Sequence, residues 1–114
     1  MKSVENKPWG TYEIIQEGLN YLVKKILVKP KGQLSFQSHE HRSEHWIIVQ
    51  GHAEVQLNDK IFTLKPNDSI FIPQKSKHSL ANNRENDLII IEVWYGEKLS
   101  EDDITRYKDI YGRE

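Results

Sequence analysis

An all-β fold, a sandwich or a barrel, is what this sequence predicts, and three observations predict it. Runs rich in Val, Ile, Leu and aromatic residues recur along the chain, and each is short. Several of them alternate apolar and polar residues with the period of two expected of a half-buried strand. Pro, Gly and Asn turn signals separate the runs at regular spacing.

Taken in order, Met1 to Asn6 is polar and expected to be loose. Pro8-Trp9-Gly10 signals a turn before a first strand, Thr11 to Ile15. Glu17 to Asn20 reads as a hairpin loop leading into Tyr21 to Val28, YLVKKILV, apolar apart from its central lysines. Pro30-Lys31-Gly32 is the next turn, and Gln33 to Gln37 alternates, with Leu34 and Phe36 on one face. Glu44 to Gln50 is apolar at nearly every position, as in a strand covered on both faces, in a sandwich or at an oligomer interface. Gly51 breaks it. Ala53, Val55 and Leu57 then alternate with polar residues, Asn58-Asp59 suits a tight hairpin turn, and Ile61 to Leu64 returns. After the turn Pro66-Asn67-Asp68 come Ser69 to Ile72, His78 to Ala81, and Leu88 to Tyr95. In the tail, Ser100 followed by Glu101, Asp102 and Asp103 reads as an N-cap with an acidic first turn, so a short helix to about Lys108 is expected.

The chemistry concentrates in Gly32 to Gly51, GQLSFQSHEHRSEHWIIVQG. On a strand, His39 and His41 share a face. With Glu44 or His45 they supply two or three converging N/O donors, which suits a first-row divalent metal. Cysteine is absent, so any metal must rest on histidine and carboxylate. A further ligand has to come from elsewhere, and the remaining histidines are His52 and His78. Glu44 and His45 compete for one position, because adjacent strand residues face opposite ways. Arg42 lies between the histidine pair and Glu44, where a guanidinium fork suits an oxyanion. Lys75 and Lys77 precede His78 in a loop and offer phosphate contacts. Glu92 interrupts the apolar run LIIIEVWY; a carboxylate there must be paired, at an edge, or in a cavity.

Gly32, His39, His41, Glu44 and Gly51 together resemble the first cupin motif, with the gap after Gly32 one residue longer than usual and that between His41 and Glu44 slightly shorter. Asn67, Pro73, Lys75, His78 and Asn82 resemble the second motif, with both of its glycines replaced. The wider text, KPWGTYE, HEHRSEHWIIVQGHAEV, SIFIPQKSKHSL and EDDITRYKDIYGR, is similar to the C-terminal cupin domain of type II mannose-6-phosphate isomerases from about Lys7 to Arg113. In that family the domain usually follows a GDP-mannose pyrophosphorylase domain, which nothing in this chain resembles.

The resemblance implies a cupin double-stranded β-helix, a jelly-roll barrel, with the short C-terminal helix appended. It implies a divalent metal on His39, His41, Glu44 and His78, with zinc placed first and manganese, iron, nickel or cobalt also suited. The spacing of Glu44 to Gly51 matches the motif and favours Glu44 over His45 as ligand. The implied activity is aldose–ketose isomerisation of mannose 6-phosphate and fructose 6-phosphate, in sugar-nucleotide or polysaccharide precursor metabolism. Arg42 would stabilise charge or hold phosphate, Lys75 and Lys77 would contact phosphate, and Glu92 or His45 would be the base. The alternatives are a non-catalytic metal-binding module for a sugar phosphate or a partner enzyme, and an iron-dependent oxygenase.

Length and charge bound these readings. At 114 residues the chain is expected to form one domain, residues 1–114. With 16 basic and 17 acidic residues, no nucleic-acid footprint is expected. No apolar run approaches the about 18 residues of a membrane span, and the first residues lack a secretory core, so a cytoplasmic protein is the expectation. The strand from Trp46 to Val49, apolar on both sides, suggests a homodimer.

Overall fold

The chain alternates on one side only, and that pattern builds two sheets facing each other. The computed structural model describes residues 3–113. It contains β1 (Val4–Lys7), β2 (Gly10–Gly18), β3 (Tyr21–Val28), β4 (Phe36–Ser38), β5 (Ser43–Gln50), β6 (Ala53–Leu57), β7 (Lys60–Leu64), β8 (Ser69–Ile72), β9 (His78–Ala81), β10 (Leu88–Tyr95) and β11 (Thr105–Lys108). One sheet has the order β1-β2-β3-β10-β5-β8 and the other β11-β4-β9-β6-β7, with antiparallel pairing throughout.

Register in the larger sheet sets what faces inward. Even-numbered residues of β3, β5 and β10 are buried, from Leu22 to Val28, Glu44 to Ile48 and Leu88 to Trp94. The pairing arranges them in rows across the strands. Ile72, Glu44, Trp94 and Leu22 make one row. Ile70, Trp46, Glu92 and Lys24 make the next, and Ile48, Ile90 and Ile26 a third. The first two rows carry charge and indole, while the third joins Val28, Leu88, Val55 and Leu80 in an apolar floor. Burying each of these aliphatic side chains contributes about 1.5–3 kcal/mol, so the floor holds the sheets together beneath the polar rows.

Several expectations change. Val4 to Asn6 is paired in β1 against β2 and not loose. Of the run Gln33 to Gln37, Gln33 makes an isolated bridge and regular pairing begins only at Phe36, in β4. The expected helix from Ser100 to about Lys108 is absent, and among the described residues there is none. Ser100 caps only a turn, accepting from the Asp102 N–H at 3.1 Å. The Asp103 carboxylate does not complete a capping box; it accepts the backbone N–H groups of Glu40 and His41, each at 2.9 Å. Thr105 to Lys108 then pairs with β4, and the Tyr107 hydroxyl lies 2.9 Å from Ser38 Oγ. Long-range pairing has overridden a local helix signal there. Finally, β5 is covered on one face only. Ile47 and Val49 point outward, 44% and 53% exposed in the single chain.

Candidate metal centre and acid–base pair

Three of the four expected ligands meet. His39 follows β4, Glu44 lies on β5 and His78 opens β9, and one donor atom from each falls within 4.8 Å of the others. All three residues are buried. His39 Nδ1 lies 2.7 Å from the Asp103 carbonyl, and His78 Nδ1 lies 3.1 Å from that of Ser76. A carbonyl only accepts, so each Nδ1 carries the proton and each Nε2 presents a lone pair, the outer-sphere arrangement that orients metal-ligating histidine. Burial keeps both imidazoles neutral, lowering His78 below its ordinary value and His39 to about 4. Burial alone would raise Glu44, but the charge of Arg42, followed by His39, His78 and the Trp46 indole, outweighs it and holds the carboxyl at about 2. Two neutral imidazoles and one carboxylate are the donor set a divalent transition metal takes, with coordination positions left open.

His41 is not in this group. It is exposed, and its backbone N–H binds Asp103. The period-two argument fails there because β4 ends at Ser38, leaving His39 to Arg42 in a bend. His45 faces out, as expected of the neighbour of an inward Glu44, and stacks on Phe71 at 4.7 Å between ring centroids. It therefore does not reach the cavity as a base. Lys75 and Lys77 are exposed and do not line the cavity; the Lys77 ammonium sits 4.4 Å from the Tyr107 ring.

Arg42 is buried and fully engaged. Its Nε donates to Glu44 Oε2 at 2.8 Å, Nη1 to the Ser100 carbonyl at 3.1 Å, and Nη2 to His39 Nε2 at 3.3 Å. Its guanidinium carbon lies 3.3 Å from the Trp94 ring centroid. The loop after β10 and the metal-ligand group are thus tied by one side chain.

Glu92 lies in the same cavity of about 320 Å³, buried on β10. Its Oε1 accepts the Trp94 indole N–H at 3.1 Å, as Glu44 Oε1 accepts that of Trp46 at 2.8 Å. Burial and the negative charge of Glu44 push its carboxyl up to about 8, against the opposing pull of Lys24, the indole and Arg42. Lys24 is a buried cation of the cavity wall that the alternating pattern alone did not single out. It is buried opposite Glu92 in register, pairs with Glu101, and sits 3.9 and 4.0 Å from the Tyr12 and Trp94 rings. Burial lowers its pKa, against the attraction of Glu101. The available signal was parity: Lys24 falls on the same face as Leu22, Ile26 and Val28.

Residues 1–109 match the family model described as the mannose-6-phosphate isomerase C-terminal domain. The chain is 50% identical over 107 residues to the alginate biosynthesis protein AlgA of Pseudomonas aeruginosa, covering 94% of this chain and 22% of that protein. It is 47% identical over 107 residues, with the same coverage, to the mannose-1-phosphate guanylyltransferase ManC of Salmonella typhimurium. It therefore spans about a fifth of the length of these curated relatives. Among solved structures it is similar to a RmlC-like cupin from Shewanella frigidimarina, with a TM-score of 0.76 and 17% identity over 90% of this chain and 87% of that one. That likeness establishes the cupin double-stranded β-helix. No helix among the described residues is long and apolar enough to cross a membrane.

Proposed function

Since this chain belongs to the family of mannose-6-phosphate isomerase C-terminal domains, we propose that it is a metal-dependent aldose–ketose isomerase interconverting mannose 6-phosphate and fructose 6-phosphate. The observation that carries the reading is two buried carboxylates facing one cavity, with Glu44 held at about 2 by Arg42 and Glu92 pushed up to about 8 by burial. His39, Glu44 and His78 would hold the metal, which supplies Lewis acidity to the sugar oxygens at C1 and C2. Glu92, with its pKa near neutrality, is suited in its ionised form to take a proton from one of these carbons and return it to the other. Lys24 stands across from it and offsets the negative charge Glu92 carries once it has given up its proton. Arg42 keeps Glu44 ionised and aligned. In this reading Arg42 positions the site, and phosphate contact falls to another residue. Zinc is the metal we would load first, and ligand type alone admits manganese, iron, nickel or cobalt.

The test is conversion of fructose 6-phosphate by protein stripped with chelator and reloaded with each metal. Conversion is expected to fall by about 10²–10⁴ in Glu92→Gln. Folded, metal-loaded protein that converts nothing would instead leave the second reading, a non-catalytic sugar-phosphate module.

We also propose that the chain forms a homodimer through the outer face of β5 and β8. Ile47, Val49 and Phe71 lie exposed there, an apolar patch of the kind that marks an interface. Light scattering of the full chain is expected to give twice the monomer mass, and Ile47→Glu to return it to the monomer. A wild-type monomer defeats this proposal.

A further inference from the structure

We propose that Arg106 is the subsite for the phosphate group of the ligand; this rests on the sugar-phosphate reading above and adds the residue that reads the phosphate. Five cationic side chains line the cavity. Four of them have a partner. Arg42 is bonded to Glu44, Ser100 and His39. Lys24 is paired with Glu101 between two rings. Arg113 makes two bonds to Asp109, at 2.7 and 3.1 Å. Lys7 lies exposed over the Tyr12 ring at 5.8 Å. Arg106 differs: its Nε is buried and has no hydrogen-bond partner among the described residues, and none of their ion pairs includes it.

A guanidinium N–H taken out of water without an acceptor is costly. The missing acceptor is therefore sought on a ligand. Arg106 lies on β11 in register with Gln37 of β4, two residues before His39, and Gln37 lines the same cavity. The strand that carries it begins two residues after Asp103, whose carbonyl orients His39. An anion held by Arg106 thus belongs to a molecule that also approaches the metal-ligand group. A planar fork of N–H donors matches the oxygens of a phosphate monoester. The cavity, about 320 Å³, is at the small end of ordinary ligand sites. Arg106 takes over the role the sequence had assigned to Lys75 and Lys77, which lie outside the cavity.

The experiment is calorimetric titration of the metal-loaded full chain with mannose 6-phosphate, inorganic phosphate and unphosphorylated mannose. In Arg106→Gln, affinity for both phosphate-bearing probes is expected to fall about tenfold or more, with mannose affinity unchanged and the melting temperature of the ligand-free protein not lowered. An affinity within about twofold of wild type overturns the subsite. Wild-type protein that binds neither phosphate probe overturns it as well. Phosphate binding that depends on Arg106, in a protein that isomerises nothing, leaves the subsite standing and removes the isomerase. Isomerisation with phosphate affinity indifferent to Arg106 does the reverse. Should Arg106→Gln not fold, Arg106→Lys decides, since it keeps the charge and loses the fork: weaker phosphate binding supports the subsite, and unchanged binding overturns it.

Discussion

The sequence Glu-x-Trp occurs twice, as Glu44-His45-Trp46 on β5 and Glu92-Val93-Trp94 on β10, and the two copies behave oppositely. Both carboxylates are buried, and both accept the indole N–H two residues ahead. The antiparallel register sets Glu44 opposite Trp94 and Glu92 opposite Trp46, so each arm mirrors the other. Yet one carboxyl is held at about 2 and the other pushed to about 8. Local sequence and burial are the same; the cation is not. Arg42 Nε donates to Glu44 Oε2 at 2.8 Å, whereas Lys24, opposite Glu92, gives its ion pair to Glu101. Burial favours the neutral acid, and only a directly bonded cation reverses that. A pair of acids whose surroundings push them apart is how one cavity obtains both a metal-ligating carboxylate and a proton carrier.

The strongest way to break this contrast is to remove its cause. Arg42→Ala leaves Glu44 buried without its partner and is expected to cost about 3–5 kcal/mol in denaturant unfolding at neutral pH. A loss well under 1 kcal/mol would mean that burial, and not Arg42, sets the state of Glu44.

The pH dependence of stability sharpens it further, measured on chelator-treated protein. Glu92 has a folded pKa of about 8 against an ordinary 4.5. Between those values the native state holds a proton that the unfolded chain has released, so stability falls as pH rises through that window. Glu92→Gln is expected to abolish the fall. Glu44 runs the other way: its folded value of about 2 lies below 4.5, so its contribution is present above 4.5 and lost as pH drops towards 2. His39, lowered to about 4 by burial, likewise contributes stability above 6.5 that is lost between 6.5 and 4. A Glu92→Gln variant with the wild-type alkaline slope would place the proton elsewhere.

The smallest expected effect is at the indoles. Trp94→Phe removes the one bond that lowers Glu92 from within its own arm and is expected to raise the Glu92 midpoint further, at a cost of about 1–3 kcal/mol for the lost bond and packing. Trp46→Phe is expected to leave Glu44 ionised, because Arg42 remains. Carboxyl chemical shifts followed against pH check both, and equal midpoint shifts in the two variants would erase the distinction between the arms.

Much of this was readable before any coordinates. The run YLVKKILV, the alternating Ala53 to Leu57 and the turn at Asn58-Asp59 appear as β3, β6 and a turn with Asn58 at φ 53°. The two motif glycines replaced by Asn67 and Lys75 keep the backbone that glycine favours, at φ 78° and 69°. Asn82, the last residue of that motif, is buried and ties Val28 to the loop through its amide, which donates to the carbonyls of Val28 and Asn86 at 3.0 and 2.8 Å. These features are local, and local patterns carry them.

Alternation and turn chemistry, then, determined by themselves that the chain is a β-fold; the spacing of Glu44 to Gly51 favoured Glu44 over His45 only through the motif it resembles, and Glu92 stayed open between a paired, an edge and a cavity position. The tertiary structure alone decided that His41 stays outside, that Arg42 closes on Glu44, that Lys24 stands beside Glu92, and that the tail pairs as β11 and brings Arg106 to the cavity. The reason is physical. Period two says which way a side chain points only while the strand lasts, and charge state depends on which cation arrives from a distant part of the chain.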